Sequence, residues 1–227
     1  MPADAPRLKV ANTRALGAEV VLYDRMSEDR DAIGARLSED RDLTLIKPFD
    51  NPQVIAGQGT TGLEIAQQAA EAGIENADVI VCCGGGGLTS GIALALEVDA
   101  PTLRVRPAEP EAFDDVARSL HTGQIQRNAN SGGSICDAIV TPQPGNLTFP
   151  IMQRLCGPGL AVSDDEALQA VAHAFNRLKL VAEPGGAVAL AAALFRTDQI
   201  NGSDVIVTIS GGNVDSDMFA RALATLD

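Results

Sequence analysis

The sequence has no tryptophan, one tyrosine and six phenylalanines in 227 residues, so aromatic faces on which nucleobases could stack are scarce. It holds three lysines, Lys9, Lys47 and Lys179, and its net charge is −13. The clustered cations that hold a phosphate backbone or an anionic bilayer are missing, which argues against nucleic acid or membrane as a partner. No apolar run is long enough to cross a bilayer, and nothing resembles the apolar region of a secretory leader. Cys82, Cys83, Cys136 and Cys156 show no C-x-x-C spacing, so reduced thiols in a cytoplasmic protein are expected. His121 and His173 have no partner pattern and read as surface or packing residues.

What is present is organised around residues 79 to 91, VIVCCGGGGLTSG. Val79, Ile80 and Val81 are β-branched without alternation, as in a strand buried on both faces of a parallel sheet. Gly84, Gly85, Gly86 and Gly87 then form a turn before a helix. Without Cβ atoms they let backbone N–H groups converge on an anion, and the helix dipole adds to the attraction. A flexible connection is the plainer reading of four glycines, and the strand and helix on either side weigh against it. No register through Gly84 to Gly91 supplies the G-x-G-x-x-G of a dinucleotide site.

The rest of the chain alternates in the same way, and its size and 45% hydrophobic content suit one full domain plus a smaller piece. Residues 4 to 16 suit a short helix with Asp4 as N-cap, and no strand stands in front of it, as though the chain began within a domain. GAEVVLYD, ending at Asp24, reads as a strand, residues 28 to 39 as a helix, and 43 to 49 as a second strand. Pro48 and Pro52 mark a domain crossing near residue 50. A helix from Asn51 follows, weakened by Gly57, Gly59 and Gly62 at about 1 kcal/mol each, which calls for close packing or a ligand. Residues 88 to 98 are expected as a helix, 103 to 110 as a strand, and 111 to 120 as the start of another helix. Residues 122 to 150 are irregular, which marks a functional segment or an interface. Ser163 and Glu166 form a capping box for a helix running through Leu178, EPGGAVALAAALF is a buried helix, and DVIVTIS is a last strand. The expected architecture is a doubly wound α/β fold with a mostly parallel sheet.

Five segments, GQGT (57 to 60), CGGGGL (83 to 88), AEP (108 to 110), EPGGAVAL (183 to 190) and SGGNVD (210 to 215), resemble the fold type II pyridoxal-phosphate enzymes. The resemblance is nearest to the serine/threonine dehydratase and serine racemase group and covers nearly the whole chain. It implies a tryptophan-synthase-β-like fold, incomplete at its N-terminus, with residues 1 to 50 a remnant of the small substrate domain and 51 to 227 the cofactor domain. It also implies that Gly84 to Gly87 hold the phosphate of pyridoxal 5'-phosphate, that Ser210 faces the pyridine nitrogen, and that Glu183 positions the ring. Without the resemblance, Ser210 is equally a turn residue and Glu183 a carboxylate favoured by a helix dipole. Asp137 is a weaker neighbour of the same pocket.

The same resemblance implies a divalent cation, Mg²⁺ or Ca²⁺, on the carboxylates of Glu109 and Asp115 and the carbonyl of Phe113. The alternative is a helix whose first turn is acidic. Catalysis in the family needs a Schiff-base lysine in a segment like S-F-K-x-R-G, and this chain has none, so no catalytic residue is assigned. The expectation is the C-terminal part of a longer ammonia-lyase, a homodimer when complete, converting serine, threonine or hydroxyaspartate to a 2-oxo acid and ammonia. A racemase is the nearest alternative, and a non-catalytic module binding the cofactor or phosphate is the alternative of another class.

Overall fold

The structure is a computed structural model and describes residues 1–226. Its centre is a four-stranded, all-parallel sheet in the order β3-β2-β1-β4, built from β1 (Ala77–Cys82), β2 (Leu103–Pro110), β3 (Leu160–Val162) and β4 (Val205–Val207). β1 is buried at every position, as its uninterrupted apolar run requires of a central strand. Its side chains still alternate between two layers. Val79 and Val81 pack with Leu103, Val105, Ile92 and Leu96, whereas Ile80 and Cys82 pack with Leu160, Val162, Leu168 and Val188.

Each layer is closed by helices. On one side α3 (Pro52–Glu71) lies against α4 (Gly87–Asp99); on the other α7 (Asp164–His173) lies against α8 (Pro184–Phe195). Helices on both faces of a parallel sheet make the doubly wound arrangement expected from the sequence. Asn51 caps α3 by accepting from the N–H groups of Gln53 and Val54, with Pro52 at the first helical position. The glycines of α3 have different reasons. A Cβ on Gly62 would stand 2.7 Å from Ala95 Cβ and 2.9 Å from Ile92 Cα, so close contact with α4 demands glycine there, while Gly57 faces open space. The capping box forms, with Glu166 N donating to Ser163 Oγ at 3.2 Å and Ser163 N to Glu166 Oε2 at 2.8 Å. The helix does not run regularly to Leu178; Ala174–Leu178 widens into a π turn that ends at Lys179 with φ +62°. α8, nearly all small and apolar, is buried over most of its length.

The N-terminal region departs from expectation. Residues 18–24 and 43–49 are not strands among the described residues; they are irregular, with a bend at 48–50, and the single isolated bridge there joins Pro2 to Tyr23 in parallel. A strand exists by pairing, and most of these residues make no backbone hydrogen bond among the described residues. Met1 to Ala3 do precede α1 (Arg7–Ala15) as a short paired segment, where no strand was expected. Asp4 does not cap α1. The carboxylate of Asp215 does so from the far end of the chain, accepting from Arg7 N at 3.0 Å and Leu8 N at 2.9 Å. α2 (Arg30–Arg41) starts at Asp29, whose side chain accepts from Asp31 N and Ala32 N. The remaining helices α5 (Asp115–Thr122), α6 (Thr148–Leu155) and α9 (Ser216–Leu223) are short. No described helix is long and apolar enough to cross a membrane.

Candidate cofactor site

β1 ends at Cys82, and Cys83 N donates to Ala108 O at 2.9 Å, which ties the first loop residue to the end of β2. The chain then turns through Gly84, Gly85 and Gly86 into α4. Gly86 has φ +91°, a left-handed conformation that a side chain resists, and a Cβ there would meet Met152 Cε at 2.5 Å. A Cβ on Gly84 would stand 3.0 Å from Ile139 Cα, and one on Gly85 would run into the Phe49 ring. The loop is therefore glycine because three neighbours close around it. The first hydrogen bond of α4 runs from Ser90 N to Gly86 O, so the N–H groups of Gly87, Leu88 and Thr89 have no acceptor among the described residues. Unpaired donors at a helix start form an anion site.

The loop is braced from behind. Thr148 Oγ1 donates to Gly85 O at 2.6 Å, Gly145 N donates to the same carbonyl at 3.2 Å, and Thr148 is fully buried. Asp50 in turn accepts from Leu147 N at 2.7 Å. Nothing in the local sequence around Thr148 points to a loop 63 residues earlier. The only cue was the irregular 122–150 segment, of which residues 137–146 line the same cavity.

That cavity, of about 920 Å³, lies outside the carboxyl ends of β1 and β4. Gly84 to Gly87, Glu183 and Ser210 all line it, as do Lys9, Arg25, Lys47, Phe49 and Asp137. Ser210 follows β4 and is anchored by its N–H to Gly186 O at 3.1 Å. Its hydroxyl makes no hydrogen bond among the described residues, and the Glu183 carboxylate accepts none. Glu183, at the start of α8, is nearly buried beside Gly211. Burial raises its carboxyl above the ordinary range, against the pull of Lys9 and with Asp137 adding to the rise. Lys9 Nζ stands 3.7 Å from Asp137 Oδ2. Lys179 lies away from the cavity, over the Phe175 ring and donating to Asn176 O. Cys82, Cys83 and Cys136 are buried and Cys156 is half-buried; desolvation pushes the thiols of Cys136 and Cys156 up to about 12.

Glu109, Phe113 and Asp115 do not line the cavity. They sit together at the end of β2 and the start of α5, all fully buried. Both Glu109 oxygens are taken, by Val116 N at 3.0 Å and Ala117 N at 2.7 Å. Asp115 Oδ1 accepts from Asn128 Nδ2 at 2.5 Å, whereas Asp115 Oδ2 is buried without a partner. Burial pushes Asp115 up to about 7 and Glu109 well above the carboxylate range, the latter also through the charge of Asp115. Among the described residues no group of three or more His, Cys, Asp or Glu side chains is placed to hold a metal ion.

A doubly wound parallel domain with unpaired helix donors facing a polar cavity at its strand ends is a ligand-binding α/β domain of the tryptophan-synthase-β-like type. The family model for pyridoxal-phosphate dependent enzymes matches residues 1–212, and the chain belongs to that family. Within it the chain falls in the fold type II group of threonine dehydratases, serine racemases and hydroxyaspartate lyases. It is 40% identical over 223 residues to L-threo-3-hydroxyaspartate ammonia-lyase of a Pseudomonas species, covering 98% of this chain and 68% of that protein. It is 39% identical to serine racemase of Schizosaccharomyces pombe, over 99% of this chain and 68% of the relative. Among solved structures, the T.th. threonine deaminase aligns with a TM-score of 0.86 at 40% identity, covering 95% of this chain and 69% of that one. The chain thus spans about two thirds of the length of these relatives.

Proposed function

We propose that this chain forms the cofactor-binding part of a pyridoxal-phosphate-dependent ammonia-lyase that acts on a small 3-hydroxy amino acid: serine, threonine or hydroxyaspartate. The observation that carries the reading is the set of unpaired groups around one cavity: the α4 N–H donors at one end, the Ser210 hydroxyl and the Glu183 carboxylate elsewhere on its wall. Residues 1–50 are read as part of a small substrate domain and 51–227 as the cofactor domain. In this reading Gly84, Gly85, Gly86 and Gly87 bind the phosphate through backbone donors, Ser210 meets the pyridine nitrogen, and Glu183 fixes the ring's orientation. The cofactor supplies an electron sink when bound. Ser210 contributes a neutral partner, weaker than a carboxylate, which suits loss of a β-hydroxyl. Buried Thr148 keeps the loop in place through Gly85, and Phe49 and Ile139 close around Gly85 and Gly84 on the cavity wall.

No lysine of this chain stands in an S-F-K-x-R-G segment, so we assign no catalytic residue and expect the chain by itself not to turn substrate over. The 39% identity to a serine racemase supports an isomerase as the alternative reaction, and the missing lysine segment supports a non-catalytic binding module as the alternative of another class. A cation, Mg²⁺ or Ca²⁺, is proposed on Asp115 with Glu109 and the Phe113 carbonyl; the unpartnered Asp115 Oδ2 supports it, and the engaged Glu109 oxygens weigh against it. A homodimer in the cytoplasm goes with the reading, and the unpaired thiols are in keeping with a reducing compartment.

Equilibrium dialysis against pyridoxal phosphate tests the site. The wild-type chain should retain the cofactor and Gly85→Asp should not; equal retention by both, or by neither, overturns the reading. Release of a 2-oxo acid from L-serine, L-threonine or L-threo-3-hydroxyaspartate by the chain alone would refute its expected inactivity. Thermal unfolding with Mg²⁺, Ca²⁺ or a chelator tests the cation, which is refuted if the midpoint stays fixed.

A further inference from the structure

The cavity wall gathers cations in a chain whose net charge is −13. Arg25, Lys9 and Arg30 are spent on the chain's own carboxylates, Arg25 on Asp4 and Asp137, Lys9 on Asp137, and Arg30 on Asp31. Among the described residues the other cations of the wall, Lys47 and Arg127, make no ion pair. The carboxylates beside them offer little in exchange. Glu28, Asp29, Asp31, Asp50 and Asp137 already accept from the chain's own groups, and burial disfavours the charged form of Glu183.

Lys47 and Arg127 differ in place. Lys47 stands just before Phe49, whose ring closes on Gly85, so it belongs to the end of the cavity that holds the glycine loop. Arg127 comes from the irregular 122–150 segment, and its backbone is anchored. Its carbonyl accepts from Arg118 Nη1 at 3.5 Å, and the next residue, buried Asn128, donates its N–H to Pro142 O and its Nδ2 to Thr141 O, each at 2.8 Å. The Arg127 side chain is exposed and donates through Nη1 to Gln143 Oε1 at 3.2 Å, on the same wall. That bond engages the acceptor of the Gln143 amide, and among the described residues its NH₂ group has no acceptor. A guanidinium fork joined to a free amide NH₂ presents donors only, which suits a carboxylate. Asp29 feels the charge of Arg127 but makes no ion pair with it, and its Oδ1 holds the start of α2.

We propose that Arg127, with Gln143, receives the side-chain carboxylate of a dicarboxylic 3-hydroxy amino acid, and so selects hydroxyaspartate over serine and threonine. The assignment rests on the reading of the cavity as the amino-acid site of a pyridoxal-phosphate enzyme. An amino acid reacts there at its α-carbon, which lies against the cofactor and keeps the α-carboxylate close to it. The end of the side chain is the part of the substrate furthest from the cofactor. Exposed Arg127 meets that end, whereas Gly85, Gly86 and Gly87 are buried at the loop. The hydrogen of serine or the methyl of threonine gives the guanidinium nothing to hold.

Calorimetric titration of the chain with L-threo-3-hydroxyaspartate, L-threonine and L-serine, in the presence and absence of pyridoxal phosphate, tests the assignment. The wild-type chain should bind hydroxyaspartate about tenfold or more tighter than L-threonine. Arg127→Gln keeps a donor but removes the charge and the fork, and should abolish that preference while leaving the L-threonine constant within about twofold of wild type. Arg127→Lys restores the charge alone and should recover part of the preference. Arg14→Gln removes an unpaired cation that does not line the cavity and should change none of the constants, which separates a local contact from net charge. The proposal is overturned if the wild-type chain shows no preference, or if Arg14→Gln lowers the preference as much as Arg127→Gln does. It is overturned equally if Arg127→Gln weakens all three ligands alike, since the guanidinium then holds the α-carboxylate. Dialysis of the same preparations keeps the two readings apart: failure to retain pyridoxal phosphate counts against the cofactor site, and the preference measured without cofactor still decides the role of Arg127.

Discussion

The Arg25 guanidinium and the Asp137 carboxylate, 112 positions apart in sequence, meet at the cavity edge with Nη2 and Oδ1 2.5 Å apart. Arg25 Nε also holds Asp4 at 2.8 Å, and Lys9 stands on the other oxygen of Asp137. One carboxylate on the wall of the cavity thus gathers two cations of the N-terminal region. Both partners are largely shielded, with side-chain exposures of 11% and 21%, so water competes weakly for the bond.

Removing Arg25 should therefore loosen the N-terminal region. Arg25→Ala leaves Asp137 with Lys9 alone and is expected to cost about 1–3 kcal/mol. Urea unfolding gives the stability, and limited proteolysis should cut first within residues 1–50. A variant as stable and as resistant as wild type would show that the pair contributes nothing.

Gly86 and Gly57 should respond in opposite directions to alanine. Gly86→Ala forces a side chain into φ +91° against Met152, at an expected cost of about 1–3 kcal/mol. Gly57 lies inside α3 with open space around it, so Gly57→Ala should gain about 0.5–1 kcal/mol from helix propensity. The unfolding midpoints of the two variants, measured together, check both signs.

Thr148→Val keeps the shape of the side chain and removes the hydroxyl that donates to Gly85 O. A buried carbonyl then depends on Gly145 N alone, for an expected loss of about 1–2 kcal/mol. If the loop is the phosphate site, retention of pyridoxal phosphate should fall several-fold while Thr148→Ser stays near wild type. Unchanged retention in the valine variant would separate the brace from the binding.

Asp78 sets an acid limit. Burial alone would raise its carboxyl, but Arg104, Arg106 and the Asn201 N–H hold it below the ordinary value. A carboxylate whose pKa is depressed on folding stabilises the fold above the unfolded value, roughly pH 4, and that contribution is lost as pH falls through the lower folded value. Stability should therefore decline on acidification below about pH 4. Asp78→Asn, which strands the buried Arg106, should lose about 3 kcal/mol at neutral pH and flatten the acid decline. Urea titrations at several pH values would reveal a parallel decline in the variant, the result that counts against this role.

Much of the cofactor domain could be read from local sequence because its signals are local. The unbroken apolar run at Val79 to Val81 gave a central strand, Asn51 and Ser163 gave their helix starts, and the small residues of 184–195 gave a buried helix. Family resemblance grouped Gly84–Gly87, Glu183 and Ser210, and the cavity brings all six together. The missed features are contacts across long separations: Thr148 on Gly85, Asp215 on the start of α1, and Arg25 on Asp137. A hydroxyl or a carboxylate leaves no periodic trace of a partner so far along the chain.

The two apolar stretches near the N-terminus mark the boundary between the two kinds of information. Sequence by itself determined that both stretches are rich in apolar and β-branched residues, because composition is local, but the strands that this composition suggested do not form among the described residues. It likewise determined that four glycines stand between a strand and a helix. Only the tertiary structure decided that most residues of those stretches lack backbone partners, that Gly87, Leu88 and Thr89 have unspent donors, and that Glu183 and Ser210 face the same space. Pairing, burial and desolvation are properties of what lies alongside a residue, and what lies alongside is set by the whole fold.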